Sequence, residues 1–237
     1  VNTGTEKLYA VALHTNKQTG TLANNLYAGA EGIGLYASGG TGAIGSGSIL
    51  TYNGHIEVGD GTAAGIGIYV DKGSNVNVNS GSILLDGAGG IGAYVENAGE
   101  FTFGSGSSMT FTDSGIGIWG ENGSVINDNG GYIGSSNPSA VIIRSRIGNG
   151  VINITGPVTN IGNGMGGYVA AGEINNLSGS SIITNSSVSG SVGIAAEDYK
   201  AVGSNAYEAN NFGIIDLANA TDATAISLKN ARAYNDT

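Results

Sequence analysis

A five-residue pattern that recurs at a fixed spacing restricts the possible folds of this chain more than any other feature. The pattern reads Gly-Ile-Gly, then an aliphatic residue, then an aromatic one. Clear copies begin at Gly32, Gly65, Gly90 and Gly115, and looser copies begin at Ala10, Ala140, Gly164, Ser191 and Ala223. The starts at residues 65, 90, 115 and 140 are each 25 residues apart. Self-similarity with a period of this length is typical of solenoids and other repeat architectures.

Alternation within each copy indicates β-strands rather than helices. Ile66, Ile68 and Val70 form one set, with Gly67 and Tyr69 between them, and a period of two residues is that of a strand. Further β-type runs follow at 75–79 and 101–103. Gly, Ser, Asn and Asp separate these runs, and all four residue types favour turns.

Two or three short strands in each 25-residue unit describe one rung of a parallel β-helix. A propeller blade would need four strands in about 40–50 residues. A β-sandwich would not repeat one pentapeptide at a fixed interval, and the Leu/Asn consensus of leucine-rich repeats is missing. One rung cannot bury its own apolar face, whereas a stack of rungs can. The sequence therefore predicts an all-β parallel β-helix of about nine rungs with roughly 25 residues each, with residues 1–237 as a single unit.

Stacking the copies assigns two columns of side chains to the core. We expect the residue after the leading glycine, and the residue two positions later, to face inward. The first column comprises Val11, Ile33, Ile66, Ile91, Ile116, Val141, Met165 and Val192. The second comprises Leu13, Leu35, Ile68, Ala93, Ile118, Ile143, Gly167 and Ile194. Small and β-branched side chains of this kind suit a thin, dry core.

The same stacking predicts an outward column that is the candidate binding surface. Its members are Tyr36, Tyr69, Tyr94, Trp119, Arg144 and Tyr168, and Gly34, Gly67, Gly92, Gly117 and Gly166 are expected on the same face two residues earlier. One interpretation is structural, because stacked rings stabilise each other by ~0.5–1.5 kcal/mol per pair and Arg144 can bridge Trp119 and Tyr168 by cation–π contacts. The other interpretation is a stripe that contacts a sugar or a protein.

Acidic residues follow the outward column two positions further along. Asp71, Glu96 and Glu121 form this acidic column, which is expected to end at Arg146. Three interpretations are open: solvated turn residues, a weak divalent-cation site, or a catalytic acid/base pair. Asn97 and Asn122 come next, and their side-chain amides are expected to stack on one another.

Longer intervals between copies predict loops on one side of the repeating unit. The predicted loops are 17–26, 39–48 and 197–211. The last carries Tyr199 and Tyr207 together with acidic residues, which makes it the best loop candidate for a partner site.

Composition excludes several classes of function. The chain has no Cys and two His, which argues against disulfide frameworks, thiolate zinc sites and His-rich metal centres, and no cofactor is predicted. The formal charge of −10 argues against nucleic acid as a partner, because phosphates must be neutralised on binding. No apolar run approaches the ~18 residues of a membrane-spanning helix.

Evidence for an enzyme is weak, and non-enzymatic function is the primary prediction. A β-helical polysaccharide lyase or glycoside hydrolase is the alternative, because Asp71 and Glu96, or Glu96 and Glu121, could supply the two carboxyls that glycoside hydrolysis requires. Glu121 with Arg144 and Arg146 is the local candidate for lyase chemistry.

The Gly-Ile-Gly-Ile-Tyr repeats, the Asn/Ser/Gly turns, the missing Cys and the acidic composition together resemble the passenger domain of a bacterial autotransporter. More closely, they resemble the long β-helical stalks of very large fusobacterial-type outer-membrane adhesins, which use type V secretion. The resemblance covers essentially the whole chain. It implies a right-handed β-helix displayed on a bacterial surface, and it carries over no catalytic residue.

The resemblance also implies partners and a location. The expected function is a structural or adhesive segment that contacts a host or bacterial surface protein or glycan. The family pattern includes an N-terminal signal and a C-terminal translocator barrel, neither of which this sequence contains. We therefore expect a segment of a longer protein that is attached to the outer membrane through a translocator domain.

Overall fold

The computed structural model describes residues 11–137, 139–159, 164–170, 172–183, 189–197 and 208–236. Within these ranges the chain forms β-strands and turns, without a helix. Twenty-six strands are numbered here in chain order: β1 (Val11–Asn16), β2 (Thr19–Leu22), β3 (Leu26–Ala28), β4 (Ile33–Ser38), β5 (Ile49–Tyr52), β6 (His55–Ala63), β7 (Ile66–Val70), β8 (Asn75–Val78), β9 (Ser82–Ala88), β10 (Gly90–Val95), β11 (Glu100–Phe103), β12 (Ser108–Phe111), β13 (Gly115–Gly120), β14 (Val125–Asp128), β15 (Tyr132–Ser135), β16 (Ile142–Ile147), β17 (Val151–Ile154), β18 (Pro157–Thr159), β19 (Met165–Ala170), β20 (Glu173–Asn176), β21 (Ser181–Ile183), β22 (Val192–Glu197), β23 (Ala209–Asn211), β24 (Ile214–Asp216), β25 (Thr224–Lys229) and β26 (Ala233–Asn235).

Parallel pairing between successive turns confirms the predicted β-helix. The first sheet has nine strands in the order β1-β4-β7-β10-β13-β16-β19-β22-β25, and the second has nine in the order β2-β5-β8-β11-β14-β17-β20-β23-β26. A third face consists of a five-stranded third sheet, β15-β12-β9-β6-β3, and a three-stranded fourth sheet, β18-β21-β24. The chain makes about eight turns of about 26 residues each. At ~4.8 Å between strands, nine strands stack to a length of roughly 40 Å.

The core lies between these faces and consists of columns of matched side chains. In the second predicted column, Leu35, Ile68, Ala93 and Ile118 are fully buried and in register. Val76, Phe101, Ile126 and Ile152 face them from the second sheet and are equally buried. Because each side chain lies directly above its counterpart, every turn extends the same dry interior.

The glycines of the repeat face the core, which corrects the outward placement predicted for them. A Cβ on Gly67 would lie 2.6 Å from Cγ2 of Ile83, a buried residue of the third sheet. Gly67 and Ile68 therefore both point inward, whereas Ile66, predicted as inward, is half-buried. The first-sheet strand bends here, so strict alternation fails at this corner. Glycine is required because the third-sheet side chain occupies the space that a Cβ would need.

One predicted loop contains a strand, and another is confirmed. The segment 17–26 contains β2, which pairs in register with β5, so its backbone continues the second sheet. The segment 39–48 is irregular, and the Ser46 Oγ in it donates to the carbonyl of Ala43. The third predicted loop, 197–211, lies mostly outside the described residues, including Tyr199 and Tyr207.

Turns after the first sheet stack as directly as the strands do. Three of them have two successive residues with positive φ, namely Lys72 and Gly73, Asn97 and Ala98, and Asn122 and Gly123. The backbone N–H of Gly73 donates to the carbonyl of Asn97 at 3.0 Å, and that of Ala98 donates to Asn122 at 3.1 Å. These bonds continue the parallel hydrogen-bond ladder through the corner.

Replacing Ala98 by Gly is expected to raise the free energy of unfolding by about 1 kcal/mol. Ala98 has a φ of 59° in the position that Gly73 and Gly123 fill in the adjacent turns. Left-handed backbone is unfavourable for a residue with a Cβ, and glycine removes that penalty. Urea unfolding measures the gain. Ala93→Gly, in a fully buried strand position, is the control and should destabilise; a gain in both variants would contradict the backbone explanation.

Candidate functional site: the aromatic column

The predicted outward aromatic column exists on the first sheet. Tyr36, Tyr69, Tyr94 and Trp119 pair with one another strand by strand. Each ring is half-buried. The structure thus brings four of the six predicted members together directly. Beyond them, Trp119 pairs with Arg146, and Arg146 pairs with Tyr168, so Tyr168 continues the same column two turns after Trp119.

The rings cover one another's faces along the column. Tyr36 and Tyr69 are stacked, with centroids 4.7 Å apart and planes at 18°. Tyr69 and Tyr94 are 5.3 Å apart and tilted by 59°. Tyr94 meets Trp119 edge to face at 5.6 Å. These are favourable aromatic geometries, and they leave ring edges rather than open faces toward the solvent at Tyr36 and Tyr69.

His14 extends the column by one turn and was missed by sequence reasoning. Its ring stacks on Tyr36 with centroids 4.6 Å apart and planes at 12°. Its Nε2 lies 2.8 Å from Ser38 Oγ. The signal was present, because His14 follows the copy start at Ala10 by the same four residues that separate Tyr36 from Gly32.

Arg144 was predicted in the aromatic column, and that prediction is wrong. Strand β16 pairs Trp119 with Arg146, two residues further on. The Arg146 Cζ lies 4.5 Å from the Trp119 ring centroid and 5.4 Å from that of Tyr168, so Arg146 makes the predicted cation–π bridge. The interval at this turn is longer, since Gly115 pairs with Ile142 rather than with Ala140. Val141, predicted in the core, is exposed, and Ser145 takes the core position predicted for Ile143.

Arg144 instead points into the core and pairs with Asp128. Its Nε donates to Asp128 Oδ2 at 2.7 Å, and one Nη donates to Asp128 Oδ1 at 2.8 Å and to the carbonyl of Gly131 at 2.7 Å. Arg144 is 2% exposed and Asp128 is 0% exposed. Two-point contact with a carboxylate matches the guanidinium geometry. This pair lies where the third face changes from the third sheet, which ends at β15, to the fourth sheet, which begins at β18.

The acidic column accepts hydrogen bonds from the aromatic column. Tyr36 donates to Asp71 at 3.1 Å, Tyr69 donates to Glu96, and Trp119 Nε1 donates to Glu121 at 3.0 Å. Asp71 is 4% exposed, so the expectation of a solvated turn residue is wrong for it. Arg146, expected at the end of this column, belongs to the aromatic one. Asn97 donates its amide to Asp71 at 2.9 Å rather than stacking on Asn122.

Burial and the neighbouring carboxylates affect the tyrosines of this column. Burial, with a smaller effect of the nearby Glu96 charge, raises the pKa of Tyr94 to about 12. Burial and the hydrogen bond to Glu96 raise the pKa of Tyr69 above its usual value. Burial and the hydrogen bond to Asp71 do the same to the pKa of Tyr36. The phenols therefore remain donors to the carboxylates well into the alkaline range.

Alkaline pH is expected to destabilise the chain through these tyrosines. A group whose pKa is raised on folding holds its proton more tightly in the folded state, so its contribution is lost as pH rises. For Tyr94 the loss spans pH 10 to about 12, from its unfolded pKa to its folded pKa. Melting temperatures across this range, with tyrosinate absorbance, measure the effect. Tyr94→Phe should flatten the decline, and an identical decline would contradict the assignment.

Metal-ligating clusters and membrane-spanning helices were also sought among the described residues. No three His, Cys, Asp or Glu side chains come together as they would to hold a metal ion in that part of the chain. Likewise, the described residues include no helix that could cross a membrane. The carboxylates considered for catalysis, Asp71, Glu96 and Glu121, accept hydrogen bonds from Tyr and Trp side chains of the chain itself.

Neither the family models nor the curated proteins nor the solved structures give a match to this chain. Ring faces that cover one another and donors that reach adjacent carboxylates favour a column that stabilises the solenoid. Binding of a partner by this column stays a prediction.

Proposed function

We propose that this chain is a rigid structural and adhesive segment of a bacterial surface protein of the autotransporter type. The observation that carries the proposal is the pair of nine-stranded parallel sheets, which run through every described turn. Such a stack supplies length and stiffness with a simple repeating core. The absence of Cys from the sequence suits export across two membranes, where a premature disulfide would hinder passage.

The outer faces of the sheets supply the contact surfaces in this proposal. Columns of side chains along the first and second sheets are held in place by neighbours one turn away, so they form fixed surfaces rather than mobile loops. Rigid surfaces bind with a smaller loss of conformational entropy than mobile ones do. The proposed partners are proteins or glycans of a host or bacterial cell surface.

Saturable binding of the labelled chain to host cells and to bacterial cells tests the adhesive part of the proposal. We expect saturable binding that excess unlabelled chain abolishes. Absence of saturable binding to every cell type would overturn the adhesive role, and release of soluble sugar from a glycan substrate would favour an enzyme instead.

A further inference from the structure

A column of asparagine amides runs along the outer face of the second sheet. Asn153 donates to Asn127 at 3.0 Å, Asn175 donates to Asn153 at 3.2 Å, and Asn210 donates to Asn175 at 2.9 Å. At its lower end Asn127 donates to Glu100 Oε1 at 3.0 Å. All four amides therefore point the same way, and each bond polarises the next.

These bonds use only part of each amide's capacity. An Asn side chain carries two N–H donors and an oxygen with two lone pairs. Within the column, each of three amides donates one hydrogen bond to the neighbour on one side and accepts one from the neighbour on the other; these are Asn127, Asn153 and Asn175. The three side chains are half-buried, so they still reach the surface. The result is a fixed row of donors and acceptors that repeats at the strand spacing of ~4.8 Å.

Two valines lie beside the amides on the same face. Val125 and Val151 pair with each other, and alternation places each of them two residues from an amide of the column. The two valines belong to a second column of side chains beside the amides. In this column Glu100 pairs with Val125 on one side, and Glu173 pairs with Val151 on the other. The face therefore offers apolar surface next to hydrogen-bonding groups, with a carboxylate at each end.

We propose that this amide–valine face binds a neutral, extended polysaccharide that lies along the solenoid axis. Sugar hydroxyls both donate and accept hydrogen bonds, as the amides do, and the C–H surface of a sugar ring suits the valines. The length of a sugar residue in an extended chain is close to the strand spacing, so successive residues meet successive amides. Glu100, Glu173 and the net charge of −10 disfavour polyanionic glycans. This inference rests on the proposed adhesive role and names its partner.

Affinity electrophoresis of the whole chain in gels that contain a soluble polysaccharide tests the proposal. The probes are mixed-linkage β-glucan and dextran as neutral chains, and alginate as an anionic one. The test variant is Asn127→Thr with Asn153→Thr and Asn175→Thr. Thr already occupies the same column at residues 21, 51 and 102, so the variant uses a residue that the fold accepts.

We expect a neutral polysaccharide to retard the wild type and the triple variant to bind about tenfold more weakly or worse. The same change at two exposed asparagines outside the column, Asn24→Thr with Asn53→Thr, should be retarded as the wild type is. Should the triple variant fold poorly, Asn153→Thr alone should still weaken binding. Equal retardation of wild type and folded variant, stronger binding of alginate, or no retardation by either neutral chain would each overturn the proposal. Cell binding that persists without polysaccharide binding would overturn this inference alone and leave the proposed function standing.

Discussion

Arg144→Met is expected to lower the free energy of unfolding by about 3–5 kcal/mol. The substitution leaves the Asp128 carboxylate fully buried without its two-point guanidinium partner, and a buried charge without a partner is unfavourable. Asp128→Leu should produce a loss of the same order, because it leaves the guanidinium unpaired. Urea unfolding of the three proteins under one set of conditions gives the comparison.

The double variant Arg144→Met with Asp128→Leu distinguishes the effect of removing the whole ion pair from the effect of leaving one charge unpaired. Replacing a whole buried ion pair by apolar side chains of similar volume is often neutral or stabilising. We therefore expect the double variant to recover most of the stability that either single variant loses. A double variant that loses the sum of the two single losses would show that the residues act independently, which would contradict the geometry.

Ile118→Lys is expected to destabilise the chain by more than about 4 kcal/mol, enough to unfold the turns around it. Ile118 is fully buried between the first and second sheets, where an ammonium group finds no described partner for its charge. Circular dichroism and thermal unfolding measure the loss.

Ile116→Lys is the matched control, because it makes the same chemical change two residues away. Ile116 is half-buried, and its ammonium group can reach water. We expect a loss of less than about 1 kcal/mol. Similar losses of stability in both variants would contradict the bend at Gly117, which places Ile116 in an outer position and Ile118 in an inner one.

Sequence patterns predicted the parallel stacking of turns, two or three strands in each turn and most of the aromatic column, because these follow from a regular repeat. The bend at Gly67 could not be predicted from alternation. It depends on Ile83 of the third sheet, which lies 16 residues later in the chain and fills the space beside the glycine. The sequence pattern contains the glycine and does not indicate what it packs against.

The displacement of Arg144 has a related cause. Val141, Ile142 and Ile143 are all β-branched, so the sequence is compatible with a strand in either of two registers. Gly115 pairs with Ala140 in the predicted register and with Ile142 in the observed one. The observed register brings Arg144 to the buried carboxylate of Asp128 on another sheet, a contact that alternation within the repeat does not indicate. The amide column was missed for a different reason: Asn127, Asn153, Asn175 and Asn210 are spaced unevenly in the sequence, and pairing brings them into register.

Parallel stacking also makes the length of this molecule independent of its cross-section. The units that begin at residues 90 and 115 are 25 residues apart and interlock in the same register. Duplication of one such unit in the gene would therefore insert a complete turn between two existing ones, with every column continued. Each insertion would lengthen the protein by one strand spacing, ~4.8 Å. Evolution can thus adjust how far such a protein extends in small, equal increments while its cross-section stays the same.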